Sequence, residues 1–305
     1  MLYDLIIIGG GPAGITAGIY AARQKINTLL VTKSFGGQIS RKAMAIENYP
    51  GLEGVSADEL IQRFENQLKK QKVDIEIDEV IELKKKGNIF LVKTKNKKSF
   101  ESKTVIIASG ADPQSLEAVG EKEYIGRGVS YCVQCDGPLF AEKRVAVIGG
   151  GNAGFEAAIF ISRWAKKVYI LEFEPEAKAD KEDQELVQKT GKIEIITSAF
   201  LKEIKGNQFV HSIIYQDRKS GENMTLPIDG VFIEVGSQPS TSFVKDLVDL
   251  NEKKEIKVEF ETYQTKTPGL FVAGDVNGGK YKQIITACGE GAKTSMAAYD
   301  YLKTL

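Results

Sequence analysis

The chain is poor in histidine, tryptophan and cysteine, with one His, one Trp and three Cys among its 305 residues. Three cysteines are too few for the disulfide framework of a small secreted protein. Lysine plus arginine and aspartate plus glutamate both number 41, so the formal net charge is zero and no overall field attracts nucleic acid or anionic lipid. No apolar run approaches the roughly 20 residues that cross a bilayer. We therefore expect a protein that binds neither nucleic acid nor membrane.

The N-terminal residues enter an apolar strand at once, with no basic leader or small-residue cleavage site. We therefore expect a cytoplasmic protein. The length of the chain favours two domains over one.

Two of the three cysteines form a C-x-x-C motif, Cys132 and Cys135, and an acid, Asp136, follows directly. In a reducing compartment this motif indicates redox or metal chemistry. A zinc site needs about four Cys or His ligands. The remaining candidates, His211 and Cys288, are each isolated in the sequence, so we predict no metal site and interpret the pair as a redox disulfide.

A strand, a glycine turn and a helix open the chain. The apolar run ending at Ile8 leads into Gly9, Gly11 and Gly14, which fit the pattern G-x-G-x-x-G, and small and apolar residues then recur with helical spacing. In such a turn the glycines permit a tight bend and a close backbone approach to a pyrophosphate, which lies at the helix N-terminus. The segment predicts a dinucleotide site.

The same unit recurs after the cysteines, with glycines at 149, 151 and 154. Duplication predicts two domains that each bind a dinucleotide. The second copy has Glu172 eighteen residues past Gly154, close to the offset of an acid that binds a ribose hydroxyl. The first copy has Thr32 at the equal offset from Gly14. We therefore expect the two sites to recognise different nucleotides.

Other segments have weaker patterns. Residues 56–72 predict an amphipathic helix, residues 209–216 a strand, and residues 218–221 a hairpin turn. Residues 269–275 predict a strand that ends at Asp275, which either contacts a cofactor or caps the next helix. The helix after it is rich in small residues, so that it can approach a ligand or another helix closely.

Over essentially its whole length the chain resembles the low-molecular-weight thioredoxin reductase family. The resemblance rests on ordered motifs: Gly-Gly-Gly-Pro-Ala-Gly at 9–14, Gly-Gly-Gln at 36–38, Glu-Asn-Tyr-Pro-Gly at 47–51, Cys-x-x-Cys-Asp-Gly at 132–137, Gly-Gly-Gly-Asn at 149–152 and Ala-Gly-Asp-Val at 273–276. Within the family it is most similar to the reductase part of the alkyl hydroperoxide reductase flavoprotein, through motifs at 135–140, 171–173, 178–180 and 281–285.

The resemblance implies an α/β fold of two Rossmann-like, three-layer domains, one inserted in the other. Residues 1–116 and 243–305 would form an FAD domain, and residues 117–242 a nicotinamide domain that carries the disulfide. It also implies a homodimer, and a rotation that presents the disulfide to the flavin or to a partner. The implied FAD residues are Gly9, Gly11, Pro12, Ala13, Gly14, Gly37, Gln38, Asn48, Gly274, Asp275, Gln283 and Ile284. The implied NAD(P)H residues are Gly149, Gly151, Asn152, Ala153, Gly154 and Glu172.

The resemblance also implies a role for each residue of the motif. Cys135 would face the flavin and Cys132 would attack the disulfide of a partner. Asp136 is the ionisable group next to the pair and is expected to move protons, with capping of the following helix as its alternative role. We expect His211 to be a surface residue and Cys288 to be a small buried residue.

The expected activity is transfer of electrons from NADH through FAD and the disulfide to a thioredoxin- or glutaredoxin-like protein. Members that use NADPH carry a His-Arg-Arg cluster where this chain has Glu172, and a carboxylate there accepts from a 2′-hydroxyl and repels a phosphate. Because the first strand begins near residue 4, we expect the partner to be a separate protein. The alternatives are a ferredoxin-fed thioredoxin reductase, a flavin NADH oxidase and a non-catalytic redox sensor.

Overall fold

The computed structural model describes residues 1–41 and 46–305, which form two compact units. The first unit consists of Met1–Arg41, Val55–Asp112 and Gln238–Leu305. The second unit contains residues 46–54 and Pro113–Ser237. The chain thus passes through the second unit twice, and the longer passage runs from Pro113 to Ser237.

Both units contain strands and helices. The strands are β1 (Leu2–Gly10), β2 (Thr28–Phe35), β3 (Asp74–Ile77), β4 (Val80–Lys86), β5 (Ile89–Thr94), β6 (Ser99–Ile107), β7 (Ala111–Pro113), β8 (Val129–Ser130), β9 (Arg144–Ile148), β10 (Lys167–Leu171), β11 (Ile193–Ile196), β12 (Ala199–Gly206), β13 (Val210–Asp217), β14 (Asn223–Pro227), β15 (Gly230–Ile233), β16 (Ser237–Pro239) and β17 (Leu270–Val272). The helices are α1 (Pro12–Arg23), α2 (Ala57–Lys69), α3 (Val133–Asp136), α4 (Asn152–Ile161), α5 (Lys181–Thr190) and α6 (Ile284–Leu302). Short 3₁₀ helices cover Gly37–Arg41, Gly137–Phe140 and Lys245–Leu247.

The first unit is built on a sheet with the strand order β3-β2-β1-β6-β5-β4, and β17 pairs with β6. Strands β1, β2, β3, β6 and β17 run parallel, whereas β5 is antiparallel to both of its neighbours, β6 and β4. Side chains of β1 alternate between the two faces of the sheet. Ile6 and Ile8 pack into one core, and Leu5 and Ile7 pack into the other together with residues of α1 and α6. Because both faces are covered, the strand is a continuous apolar run.

The second unit has a parallel sheet in the order β11-β10-β9-β15-β8 and an antiparallel sheet in the order β12-β13-β14. Val145 and Val147 of β9 pack against α4 residues on one face. Ala146 and Ile148 pack on the other face against residues of β12 and β13. The parallel sheet is therefore the middle of three layers.

Local signals in the sequence account for several of these elements. Helix α2 confirms the predicted amphipathic helix, and Ser56 caps it by accepting a hydrogen bond from the Glu59 N–H. Strand β13 confirms the strand predicted at 209–216, and a hairpin joins it to β14. The strand predicted over 269–275 was too long, because β17 covers Leu270–Val272 only. Gly274, with φ of +79°, lies outside the extended region and turns the chain toward Asp275.

Candidate active site

The C-x-x-C pair lies at the start of α3 in the second unit. Cys132 caps the helix with an extended backbone, and its sulfur accepts a hydrogen bond from the Cys135 N–H at 3.3 Å. The two residues form a disulfide, with Cα atoms 5.3 Å apart. Because β8 ends at Ser130 and pairs in parallel with β15, the carboxyl edge of the sheet fixes the position of the pair. The sequence-predicted redox pair is thus assembled as a disulfide.

Ser130 connects the two ends of the motif. Its hydroxyl donates to the Asp136 carboxylate at 2.6 Å, and its oxygen accepts from the Cys132 N–H at 3.0 Å. The Asp136 side chain makes no capping hydrogen bond to the 3₁₀ helix that begins at Gly137. In the described structure Asp136 therefore faces back toward the cysteine pair. Sequence reasoning missed Ser130, although a serine two residues before the first cysteine was a usable signal.

Glu121 is a second residue that the sequence reading missed. Its side chain is 1% exposed and accepts hydrogen bonds from the Tyr131 hydroxyl at 2.5 Å and from the Leu116 and Ala118 N–H groups, both at 3.2 Å. A buried carboxylate requires such donors to offset its desolvation. The contact holds the side chain of Tyr131, the residue directly before Cys132, and so supports the entry to the motif.

The first glycine turn joins β1 to α1 in the first unit. Gly9 has φ of +120°, and a Cβ at Gly14 would lie 1.9 Å from the Gly9 oxygen, so neither position tolerates a side chain. Gly11 begins α1 without a side-chain cap, and Pro12 occupies the first turn, where its missing N–H costs nothing. The remaining N–H groups at this end are available to an anion. The turn therefore fits a pyrophosphate.

Other residues predicted to bind FAD come together near this turn within the first unit. A Cβ at Gly37 would lie 3.3 Å from the Gly11 Cα, and the Gln38 Nε2 donates to the Asp275 Oδ2 at 2.9 Å. Ala13 lies against the terminal helix, since a Cβ at Gly291 would lie 2.2 Å from the Ala13 oxygen. Gly274 and Ile284 belong to the same unit, and Gln283 caps α6 in a capping box with Thr286.

Asn48 is placed differently from the other predicted FAD residues, because it lies in residues 46–54 of the second unit. A further residue beside the predicted set was missed from the sequence. Glu290 accepts hydrogen bonds from the Gly274 N–H and the Asn277 amide, both at 2.7 Å. Burial raises the pKa of Glu290 above its ordinary value, although these two donors act in the opposite direction. Glu290 thus holds the backbone of the turn that precedes Asp275.

The second glycine turn repeats the geometry of the first one. Gly149 has φ of +122°, and a Cβ at Gly154 would lie 1.9 Å from the Gly149 oxygen. Gly151 begins α4 without a side-chain cap, and a Cβ added there would meet nothing within 4 Å. Asn152 exchanges hydrogen bonds with Asp180 at 2.8 and 2.9 Å, and the exposed Ala153 lies in the first turn of the helix. This open glycine cradle also fits a pyrophosphate.

The two turns differ in the residue that lies against their middle glycine. In the second turn the Glu172 Oε2 accepts from the Gly150 N–H at 2.5 Å, and its Oε1 accepts from the Glu174 N–H at 2.7 Å. In the first turn Thr32 lies against Gly10, and its hydroxyl donates to the Ser34 oxygen. A carboxylate is therefore fixed at one turn and a neutral hydroxyl at the other.

An arginine next to Glu172 was also missed from the sequence. The guanidinium of Arg218 lies 3.7 Å from the ring centroid of Phe173, and its Nη1 donates to the Phe173 oxygen at 2.7 Å. Phe173 is 46% exposed and also contacts Phe200 edge to face. The stacked pair provides a flat, positively charged surface beside the acid.

His211 and Cys288 were predicted to lie outside the redox site. His211 is exposed on β13, and Cys288 is buried in α6 outside the disulfide, as predicted. Within residues 1–41 and 46–305, no group of three or more His, Cys, Asp and Glu side chains is arranged to hold a metal ion. The same part of the chain contains no helix with the length and apolar character needed to cross a membrane.

A disulfide in the same unit as one of two glycine turns is typical of the flavin-linked disulfide oxidoreductases. Comparison with known proteins supports this class. The family model for pyridine nucleotide-disulphide oxidoreductases matches residues 3–291. The chain belongs to this family and is a thioredoxin-reductase-like enzyme with two Rossmann-like domains. Family membership implies a flavin and NAD(P)H as cofactors.

The chain is similar to proteins with three different names. It is 41% identical over 304 residues to the alkyl hydroperoxide reductase F subunit of Pseudomonas putida and 40% identical over 300 residues to NADH dehydrogenase of Bacillus subtilis, covering 98% of this chain and 58% of each relative. The thioredoxin reductase structure from Streptococcus pyogenes MGAS5005 matches with a TM-score of 0.95 and 37% identity, over 100% of this chain and 99% of the other. The chain therefore spans less than two thirds of the length of these curated relatives.

Proposed function

We propose that this enzyme transfers electrons from NADH through FAD to the Cys132–Cys135 disulfide, and from the resulting dithiol to a separate thioredoxin- or glutaredoxin-like protein. The observation that carries the proposal is the disulfide at the carboxyl edge of the same sheet that carries the second glycine turn. In parallel α/β sheets, ligands bind at this edge. An electron donor and a redox disulfide therefore belong to one unit.

The first glycine turn would hold FAD. Its open helix N-terminus suits the pyrophosphate, and Gln38 and Asp275, which are joined by a hydrogen bond, provide polar groups within the same unit. When bound, the flavin would supply two-electron transfer between the nicotinamide and the disulfide. Asn48 is included in this proposal on the strength of the family motif alone.

The two cysteines have separate roles in the proposal. Cys135 would receive electrons within the enzyme, and Cys132 would attack the partner disulfide as a thiolate. Asp136 would exchange protons with the pair, and its hydrogen bond to Ser130 would orient its carboxyl. Each catalytic cycle breaks the Cys132–Cys135 bond and restores it when the partner disulfide is reduced.

NADH is proposed as the electron donor because of Glu172. Its carboxylate is held by two backbone N–H groups, so it cannot move away from a nucleotide without losing both hydrogen bonds. It would accept a hydrogen bond from a ribose 2′-hydroxyl and repel a 2′-phosphate. The Lys178 N–H donates to the Gly150 oxygen of the same turn, and Arg218 contacts Phe173, the residue directly after Glu172. The positive charges of Lys178 and Arg218 would attract a phosphate, and the carboxylate of Glu172 would repel it.

The nucleotide preference is tested with Glu172→Gln, which removes the charge and retains an amide oxygen. In steady-state assays we expect the kcat/KM ratio of NADH to NADPH to fall by at least about tenfold, equivalent to ~1.4 kcal/mol. The control is Glu176→Gln, which removes an exposed carboxylate from the same segment and should leave the ratio unchanged. A wild-type enzyme that prefers NADPH would contradict the proposed donor.

A flavin NADH oxidase is the second candidate, because one relative is named NADH dehydrogenase. This activity requires no dithiol, so changing the cysteines to serine would leave NADH consumption in the presence of oxygen intact. Stopped-flow mixing with NADH, NADPH or reduced ferredoxin identifies the donor that bleaches the flavin. Bleaching by ferredoxin alone would favour a ferredoxin-fed reductase, and bleaching without turnover would favour a redox sensor.

We also propose that the enzyme is a cytoplasmic homodimer. The support is the similarity to thioredoxin reductases, together with the reducing compartment that a dithiol enzyme of this kind requires. Sedimentation of the holoenzyme would test the oligomeric state, since a monomer at micromolar concentration would contradict it.

A further inference from the structure

Glu234 is an acidic residue that the proposed mechanism does not use, and it follows the strand beside the cysteine motif. Strand β15 pairs in parallel with β8, with Phe232 opposite Ser130. The Glu234 N–H donates to the Ile148 oxygen at 2.9 Å, so its backbone continues the ladder with β9. Cys132 lies two residues after Ser130, and Glu234 lies two residues after Phe232, the residue paired with Ser130. Neighbouring strands are about 4.8 Å apart, which brings both residues to one edge of the sheet.

The side chain of Glu234 lies on the face of the sheet that α3 covers. Ile233 and Val235 pack into the core on the opposite face. Phe232 packs into the other core, together with Val133 of α3. Because side chains alternate along a strand, Glu234 shares the face of Phe232 and Val133. Its carboxyl group is therefore on the same side as the helix that begins at Cys132.

Glu234 also lies against the second glycine turn, because a Cβ at Gly149 would lie 2.6 Å from its carbonyl oxygen. Its half-buried carboxyl makes no hydrogen bond or ion pair with any described residue. The ionisable groups on the surrounding elements are Asp136 on α3, Glu156 on α4 and Glu172 after β10, and β8 and β9 contribute none at this edge. Burial raises the pKa of Glu234 to about 7.

We propose that Glu234 is a second proton donor and acceptor for the Cys132–Cys135 pair, acting in addition to Asp136. The proposal rests on the proposed function, in which NADH supplies the electrons. Two electrons and two protons convert a disulfide to two thiols, and a hydride brings both electrons but only one proton. The other proton must come from the protein or from water. A carboxyl that titrates near neutral pH is suited to supply it.

Protons and electrons balance in both halves of the cycle. When the S–S bond breaks, the pair receives two electrons that originate from NADH. The Cys135 sulfur takes the proton that accompanies the hydride, and the Cys132 sulfur takes a proton from the Glu234 carboxyl, which is left as a carboxylate. In the exchange with the partner, the Glu234 carboxylate accepts the Cys132 proton as the thiolate attacks. A bond forms between Cys132 and one partner sulfur, the partner S–S bond breaks, and the partner's leaving sulfur takes a proton from water. Cys135 then attacks the Cys132 sulfur, which restores the Cys132–Cys135 bond and releases the second partner sulfur, and that sulfur takes the proton that Cys135 loses.

The test measures alkylation of Cys132 by iodoacetamide in the dithiothreitol-reduced holoenzyme between pH 5.5 and 9.5, with the modified peptide quantified by mass spectrometry. Wild type should have an inflection near pH 7 in addition to that of the thiol. Glu234→Gln should lose this inflection and react on the order of threefold to tenfold faster above pH 7.5, because no carboxylate then repels the thiolate. Glu234→Asp should retain an inflection at a shifted pH.

The matched control is Glu156→Gln, which removes an exposed carboxylate from the same unit and should reproduce the wild-type profile. A Glu234→Gln profile that superimposes on the wild-type profile would overturn the proposal and would indicate a role limited to nucleotide binding. Because alkylation uses neither NADH nor a partner, this outcome is independent of the proposed function. An enzyme with the Glu234-dependent inflection but no thioredoxin reduction would refute the proposed function alone.

Discussion

At the residue scale, Ser130 is the side chain that connects the parts of the cysteine motif. It donates to Asp136 and accepts from the Cys132 N–H, while its own side chain is only 6% exposed. A buried donor or acceptor that loses its partner costs about 1–3 kcal/mol. The serine therefore affects both the orientation of the proposed proton carrier and the backbone that presents the proposed attacking sulfur.

We expect Ser130→Ala to reduce thioredoxin-coupled turnover on the order of tenfold, because Asp136 would lose the hydrogen bond that orients it. The control is Ser162→Ala, which also removes a buried serine hydroxyl in the second unit, one that donates to the Ile159 oxygen away from the pair. Ser162→Ala should lower the melting temperature without lowering turnover. Equal turnover losses in the two variants would exclude a specific role for Ser130.

The residues that the sequence could identify were those with a fixed spacing. Cys132 and Cys135 were predicted from their separation, and the disulfide is formed. Glu234 could not be found this way, because its position beside the pair depends on strand pairing. Ser130 and Glu121 have partners nearby in the sequence, but they belong to no motif with a fixed spacing. The register of β15 with β8, for example, joins residues about a hundred positions apart, and no local pattern encodes it.

At the element scale, both glycine turns depend on a close approach between the turn and the helix that follows it. In each turn, a Cβ on the third glycine of the motif would lie 1.9 Å from the oxygen of the first. This distance is far inside van der Waals contact, so that a methyl group forces the helix away from the strand.

We expect Gly154→Ala to lower the stability of the second unit by about 1–3 kcal/mol or more and to abolish NADH binding, measured by calorimetric titration. Gly151→Ala is the matched control, since it adds the same methyl group at φ of −87° where no atom lies within 4 Å. This variant should fold with wild-type stability. A Gly154→Ala enzyme that binds NADH normally would contradict the assignment of the turn.

Secondary structure was predicted correctly from the sequence where a local chemical signal marks the element. The amphipathic helix α2 and the hairpin between β13 and β14 were predicted correctly. The strand near residue 270 was read too long, because its apolar and small residues gave no sign of the positive φ at Gly274. The pairing of β17 with β6, more than 160 residues earlier, was likewise invisible in the sequence.

At the scale of the whole molecule, the pKa of Glu234 makes stability depend on pH. The carboxyl titrates at about 7 when folded, against an ordinary value of 4.5, so the folded protein holds this proton more tightly. The contribution of the protonated carboxyl to the free energy of unfolding is fully present below pH 4.5 and is lost as the pH rises through 7. The total change is on the order of 3 kcal/mol, from ~1.4 kcal/mol per pKa unit.

We therefore expect Glu234→Gln to gain stability relative to wild type between pH 5 and pH 8. The single tryptophan, Trp164, lies in the second unit, so its fluorescence in urea titrations reports the unfolding of that unit. Glu156→Gln should show no such gain, because its carboxylate is exposed. A constant difference between Glu234→Gln and wild type across this range would contradict the raised pKa.

The central claim is that electrons leave the enzyme through the cysteine pair, and it is tested most directly by thioredoxin-disulfide reduction with NADH in Cys132→Ser. Family resemblance and spacing led to this claim, and the disulfide now has a defined place at the carboxyl edge of the sheet. We expect the variant to retain flavin bleaching by NADH and to lose partner reduction by at least about a thousandfold, as for removal of a covalent nucleophile. Cys288→Ser, the control outside the disulfide, should retain activity. Partner reduction that persists in Cys132→Ser would contradict the account.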